Sequence, residues 1–272
     1  MPHGMDVMER FRLDGDVVMV TGGASGIGEQ YATGCAEAGA DVVVLADIDE
    51  DAAAATADDI ADATGATVVP REVDVTDKEG VDAAVEAIVD EHGSLDIAFA
   101  NAGIAELESQ IGNYPEDQWR RIMAVNLDGV FYTARAAAAQ MVEQDDGGSI
   151  VNTASVYGLV SSDILGTMFA YATAKGGVVN MTRALGAELA DQGVRVNAIA
   201  PSHVRTSLAG GFLQEDAPAG METIQEDVEA HTPMDRISEA EELKGPAVFL
   251  ASDASSYCTG YTYAVDGGWL SL

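Results

Sequence analysis

A short apolar run, Val17 to Val20, leads directly into Thr21-Gly22-Gly23-Ala24-Ser25-Gly26-Ile27-Gly28, and a helical stretch from Ile27 to Ala38 follows. A buried strand that turns through glycines into a helix restricts the fold, because the strand belongs in a parallel sheet with the helix packed on its face. On this reading Gly22, Ser25, Gly26, Ile27 and Gly28 form a cradle. Backbone N–H groups and the dipole at the start of the helix receive a pyrophosphate there, and missing side chains permit its close approach.

The alternation continues along the chain. Asp41 to Ala46, Thr67 to Val73, Leu95 to Ala100, Ser149 to Thr153, Val194 to Ile199 and Tyr261 to Val265 read as strands. Asp51 to Ala63, Lys78 to Glu91, the Ala-rich run Ala134 to Met141, Ala170 to Leu189 and Ala240 to Leu250 read as helices, and Pro115 stands near the start of another. The expected fold class is α/β: a single-domain, doubly wound Rossmann fold over residues 1–272, its parallel sheet covered by helices on both faces. No Pro- or Ser-rich linker and no fixed-period repeat divides it. Ser207 to Thr232 breaks the rhythm with Gly210-Gly211, Pro218 and Gly220. Because it follows the carboxyl end of a strand, where ligands of such sheets bind, 207–232 is expected to be a substrate flap.

Charge narrows the function. The chain sets 13 Lys plus Arg against 46 Asp plus Glu, a net charge of −33, and its lysines are Lys78, Lys175 and Lys244. No basic stripe exists to meet phosphates, so nucleic-acid binding is disfavoured. Hydrophobic content of 47% argues against disorder. Self-repulsion of this size is screened when the Debye length falls to ~3 Å at 1 M salt. The pattern resembles proteins of salt-accumulating halophiles. No run of ~18 apolar residues is present to span a membrane, and Met1 to Leu13 lacks a secretory core, so a soluble cytoplasmic protein is expected. Cys35 and Cys258 make no disulfide framework, and no pair among His3, His92, His203 and His231 has ligand spacing, so no metal site is expected.

Two constellations carry chemistry. Asp47 comes nineteen positions after Gly28, where a carboxylate accepts hydrogen bonds from an adenosine ribose and repels a 2′-phosphate. Neither Ser25 nor Ile48 supplies the cation NADP would want, so NAD is the expected cofactor. Tyr171 and Lys175 stand four residues apart on one helical face. The ammonium is therefore expected to acidify the phenol, giving a group that exchanges a proton near neutral pH during carbonyl reduction or alcohol oxidation.

Further residues fall at strand ends in the same order. Asp74-Val75 follows the third strand, Asn101-Ala102-Gly103 the fourth, Ser155 the fifth and Pro201-Ser202 the sixth, with Asn126 inside Val125-Asn126-Leu127. In these motifs the chain resembles the short-chain dehydrogenase/reductase family along nearly its whole length. The resemblance implies that Tyr171 is the general acid/base, that Lys175 tunes it and binds nicotinamide ribose, and that Ser155 hydrogen-bonds the substrate oxygen. It further implies that Asn126 holds a water of a proton relay to Lys175, that Asp74 and Val75 contact adenine, and that Asn101, Ala102 and Gly103 wall the cofactor. Pro201 and Val204 to Thr206 would lie at the nicotinamide, Val204 and Thr206 near its carboxamide. The same likeness implies a homotetramer, for which the apolar C-terminal stretch Val265-Asp266-Gly267-Gly268-Trp269-Leu270 is an interface or a core edge.

Two departures from the family pattern stand out. Sixteen positions separate Ser155 from Tyr171, more than in most members, and the interval contains Ser161-Ser162-Asp163-Ile164-Leu165-Gly166-Thr167. Ser202 replaces the usual glycine, and its neighbour His203 reads as a solvated loop histidine. Phe11-Arg12-Leu13-Asp14-Gly15, Met123-Ala124-Val125-Asn126 and Thr232-Pro233-Met234-Asp235-Arg236 are similar to members acting on polyols and sugars, and loop hydroxyls suit a polyhydroxy or hydroxy-acid substrate. The expected reaction is hydride transfer between NAD and a secondary alcohol or ketone of a sugar, polyol or sugar acid. A 3-oxoacyl thioester reductase is the alternative within the family, and it calls for NADPH and a cationic entrance. A non-catalytic dinucleotide-binding protein is the alternative of another class, and intact Ser155, Tyr171 and Lys175 argue against it.

Overall fold

The computed structural model of the chain describes residues 6–105, 111–144, 146–161, 168–211, 213–214 and 221–271. Its first half runs β1 (Val17–Thr21), α1 (Gly26–Glu37), β2 (Val42–Asp47), α2 (Glu50–Thr64), β3 (Thr67–Glu72), α3 (Lys78–His92) and β4 (Ile97–Ala100). The second half begins with α4 (Glu116–Met123), α5 (Gly129–Glu143), β5 (Gly148–Thr153), α6 (Phe169–Glu188) and β6 (Val194–Pro201). It ends with β7 (Val204–Arg205), α7 (Leu208–Gly211), α8 (Glu222–His231), β8 (Ser238–Glu239), α9 (Lys244–Ala251) and β9 (Thr262–Val265).

Seven strands pair in the order β3-β2-β1-β4-β5-β6-β9, each pair parallel. The order reverses between β1 and β4, which opens a crevice at the carboxyl ends of those strands. Alternation within β1 shows why both faces must be covered. Val18 and Val20 pack with Tyr31 and Cys35 of α1 and Ala247 and Leu250 of α9, whereas Val17 and Met19 pack with Val85 and Ile88 of α3 and Ala137 and Met141 of α5. Local signals set the helix ends. Asp49 Oδ1 accepts from Ala52 N–H at 3.0 Å to start α2, and Gly65 ends it in the left-handed region at φ 77°.

The expected helix Ala240–Leu250 divides into a tight turn, Ala240–Leu243, and α9 from Lys244. Pro246 explains the restart: it has no N–H to give to Glu242 O, so it is tolerated only in a first helical turn. Sequence reading also missed the two-residue pair β7 and β8 and the helix α8 inside 207–232. No helix among the described residues is long and apolar enough to cross a membrane.

Candidate active site

A cleft of about 1160 Å³ opens at the carboxyl edge of the sheet. Gly22, Ser25, Gly26, Ile27, Gly28, Asp47, Asp74, Val75, Asn101, Ala102, Gly103, Asn126, Ser155, Tyr171, Lys175, Pro201, Val204 and Thr206 all line it. Every site residue expected from sequence is thus brought to one cavity.

At the nucleotide end the glycines have a tighter reason than expected. A Cβ on Gly28 would lie 2.0 Å from Gly22 O, and one on Gly22 would lie 2.8 Å from Ala102 Cα, so both positions are small because the turn packs on itself and on β4. Asn101 locks this arrangement. Its amide donates to Thr21 O at 3.0 Å and Gly22 O at 3.2 Å, and its Oδ1 accepts from Thr153 Oγ1 at 3.1 Å, joining the ends of β1, β4 and β5. Ser25 caps α1 without a side-chain bond to the helix. Asp47 Oδ2 accepts from Ala24 N–H at 3.0 Å, so the carboxylate at the end of β2 is fixed beside the glycine turn. Asp74 accepts from Thr76 N–H and Oγ1, while buried Val75 packs on Gly129. A dinucleotide fits this end. Side-chain-free backbone, helical N–H groups and a carboxylate at the second strand end are the donor and acceptor set its pyrophosphate and ribose need.

Across the cleft the proton-handling groups converge. Ser155 lies beside the Tyr171 phenol and works to lower its proton affinity, and its Oγ accepts from Tyr157 N–H at 3.2 Å, which fixes it at the end of β5. Lys175, 2% exposed, donates to Thr153 O at 2.7 Å, and its Nζ lies 5.7 Å from the centre of the Tyr171 ring. Burial acts on both groups against the acidification expected from their spacing. Burial pushes Tyr171 up to about 12 against the effect of Ser155, and burial pushes Lys175 down to about 8. Enclosure thus opposes the acidification expected from the pair, and charge beside the phenol in the working complex must outweigh it for Tyr171 to give up its proton near neutral pH.

Asn126 sits in a π turn, Ala124–Asp128, between α4 and α5. Its amide donates to Ile104 O at 2.9 Å and Ile122 O at 3.1 Å, and Oδ1 accepts from Ile104 N–H at 3.1 Å. The side chain is thus committed to the main chain after Gly103.

At the far end, sequence reasoning missed several lining residues, Tyr157, Met168 and Leu213 among them, while Ser202, expected as a hydroxyl of this region, lines the cleft. His203 corrects an expectation: it is 5% exposed rather than solvated. Its position directly after β6 was the available signal, since strand carboxyl ends line such clefts. Trp269 and Leu270 pack on Tyr157, Leu213 and Val228, so this end of the C-terminal stretch is a core edge. Within the expected flap, α7 and α8 flank Leu213, while 212 and 215–220, like the loop insertion 162–167, lie outside the described residues. Arg205 holds the segment: it donates to Leu213 O at 2.6 Å and pairs with Glu229 of α8 and Glu239 of β8. Among the described residues no three His, Cys, Asp or Glu side chains converge as a metal site.

A doubly wound sheet with a glycine cradle and a Ser, Tyr and Lys group in one cleft defines a nucleotide-dependent oxidoreductase scaffold. The chain belongs to the short-chain dehydrogenase/reductase family: a family model described as enoyl-(acyl carrier protein) reductase matches residues 22–270. It is 40% identical over 268 residues to galactitol 2-dehydrogenase (L-tagatose-forming) of Cereibacter sphaeroides, covering 97% of this chain and 99% of that one. It is 35% identical over 265 residues to 2-dehydro-3-deoxy-D-gluconate 5-dehydrogenase of Dickeya dadantii, covering 97% and 99%. The crystal structure of a gluconate 5-dehydrogenase from Burkholderia cenocepacia, in complex with NADP and tartrate, superposes with a TM-score of 0.89 at 34% identity, covering 98% and 100%.

Proposed function

We propose that the protein transfers a hydride between NAD and a secondary alcohol or ketone of a sugar, polyol or sugar acid. The observation that carries this reading is the convergence of Ser155, Tyr171 and Lys175 in the cleft whose other end is the glycine cradle. Bound nicotinamide dinucleotide supplies the hydride acceptor or donor. Ser155 holds the substrate oxygen, and Tyr171 takes its proton during oxidation or returns it during reduction. Lys175, below its ordinary basicity, lies beneath the phenol as the next group able to carry that proton. Gly22, Ser25, Gly26, Ile27 and Gly28 would hold the pyrophosphate, and Asp74 and Val75 the adenine. Asn101, Ala102 and Gly103 would form the wall, and Pro201, Val204 and Thr206 the nicotinamide end.

NAD is favoured over NADP because Asp47 is anchored at the adenosine side with no cation beside it at Ser25 or Ile48. A polyhydroxy substrate is supported by the polyol and sugar-acid relatives and by the hydroxyls of Ser155, Tyr157 and Ser202 in the cleft. A thioester reductase would want a cationic mouth, which a chain of net charge −33 does not favour. Residues 207–232 act as the flap over this substrate. The working form is a cytoplasmic homotetramer adapted to high salt, and light scattering in concentrated KCl that gives a monomer would refute the assembly.

The reading is tested by initial rates with NAD and NADP against a panel of sugars, polyols, hydroxy acids, steroids and fatty acyl thioesters in molar salt. Turnover of polyols or sugars with NAD is expected. Turnover of acyl thioesters or steroids alone would sink it.

A further inference from the structure

The proton-handling group leaves unused a polar set at the substrate end of the cleft. His203 stands between two hydroxyls: Ser202 Oγ lies 3.0 Å from Nδ1 and Tyr157 Oη 3.4 Å from Nε2. The imidazole also packs against Trp269, ring centres 4.5 Å apart. Val156, Met168, Leu213, Val228 and Ile237 form the buried apolar cluster that contains Tyr157. Burial lowers His203 to about 4, so the ring is neutral at working pH, and its one donor and one acceptor meet the Ser202 and Tyr157 hydroxyls. Ser202, His203 and Tyr157 line the same cavity as Ser155 and Tyr171.

Charge around this set is one-sided. The sequence has no Lys or Arg from Val156 to Ala174, nor from Ser207 to Ala230. Lys175 is engaged by Thr153 O, and Arg205 by Leu213 O, Glu229 and Glu239. Among the described residues Arg121, exposed on α4, is the other cation of the cleft lining. A carboxylate brought against Ser202 and Tyr157 would lose water without gaining a counter-ion, whereas a hydroxyl could both give to and accept from those two hydroxyls, which His203 orients.

We propose that Tyr157 and Ser202, oriented by His203, receive a second, uncharged hydroxyl of the substrate, so that the enzyme selects polyols and hydroxyketones over sugar acids. This rests on the oxidoreductase reading above and narrows its substrate class. The three residues determine specificity, and the reacting oxygen remains with Ser155 and Tyr171.

Three ring alcohols test it with the intact protein and NAD in molar salt: cyclohexanol, cyclohexane-1,2-diol and 2-hydroxycyclohexanecarboxylate. The diol is expected to exceed each of the others in kcat/KM by about 10-fold or more, with the difference in KM, because a site built to bond a hydroxyl is left unpaired by its analogue. His203→Phe and Tyr157→Phe should each bring the diol-to-cyclohexanol ratio towards one. Tyr157→Phe removes one oxygen and keeps the ring, so the test survives if His203→Phe fails to fold. A ratio unchanged in Tyr157→Phe overturns the proposal, as does a diol that is not oxidised by an enzyme active on other alcohols. Carboxylate turnover equal to that of the diol also overturns it and would assign the anion to Arg121. Absence of turnover on every alcohol of the wider panel would instead remove the oxidoreductase reading itself.

Discussion

The two ends of the cleft are held by different means. At the nucleotide end the carboxyl ends of β1, β4 and β5 are joined through Asn101, Thr21 and Thr153, and the absent side chains of Gly22 and Gly28 leave no room to adjust. At the substrate end side chains from the 155–157 turn, α6, α8 and the C-terminus meet in a separate apolar cluster, tied to β7 through Arg205. The difference teaches where specificity can change. A cradle made of backbone tolerates little substitution, whereas a pocket made of side chains can be rebuilt without disturbing the sheet.

The largest expected effect separates chemistry from binding. Tyr171→Phe removes the transferable proton and little volume, so kcat should fall by about 10²–10⁴-fold while NAD affinity is retained. Steady-state rates and a nucleotide titration check this, and a variant that turns over normally would dissolve the division between the two ends.

Next in size is a pH effect confined to the substrate end. His203 titrates near 4 in the folded chain and near 6.5 unfolded, so the unfolded state binds the proton first as pH falls. Stability from the neutral ring is fully present above about 6.5 and is lost towards 4, by about 3 kcal/mol. Lower pH also neutralises carboxylates and relieves repulsion in this acidic chain, so the measurement is a difference. Denaturant unfolding at pH 7 and pH 4 should show the wild type losing stability relative to His203→Phe. Parallel behaviour of the two would mean the imidazole is hydrated.

At the nucleotide end Gly28→Ala sets a Cβ 2.0 Å from Gly22 O and 2.7 Å from Asn101 Nδ2. Overpacking of this kind costs about 1–3 kcal/mol. The denaturation midpoint should drop and binding of both NAD and NADP should weaken together. An unaltered midpoint would show that the turn yields more easily than its contacts imply.

The same contrast explains what could be read from sequence. Glycine spacing, strand-end Asp47 and the Tyr171 and Lys175 pair are local patterns fixed by backbone geometry, so the fold and the gathering of these residues in one cleft were legible. The effect of burial on that pair was not. Proximity of Lys175 to Tyr171 is visible in a helical repeat, but the burial that moves Tyr171 to about 12 and Lys175 to about 8 depends on residues far apart in the chain. His203 was misread for the same reason: Tyr157 and Trp269, which enclose it, are 46 and 66 positions away. Asn126 was recognised, but its bonds to Ile104 and Ile122 depend on the π turn that no pattern announced.

The smallest expected effect sharpens the comparison most. Arg205 uses its fork to reach Leu213 O at 2.6 Å and two carboxylates, those of Glu229 and Glu239, at 3.4 and 3.1 Å. Lysine offers one point charge on a flexible stem and cannot reproduce all three contacts. The ion pairs are partly solvated and contribute under about 1 kcal/mol each, so loss of the bond to Leu213 dominates, at about 1 kcal/mol. Arg205→Lys should therefore destabilise the protein only slightly and raise KM for the alcohol more than the NAD dissociation constant, because the contacts of Arg205 run to Leu213, Glu229 and Glu239 and not to the cradle. Equal weakening of substrate and NAD would show that the two ends move as one body.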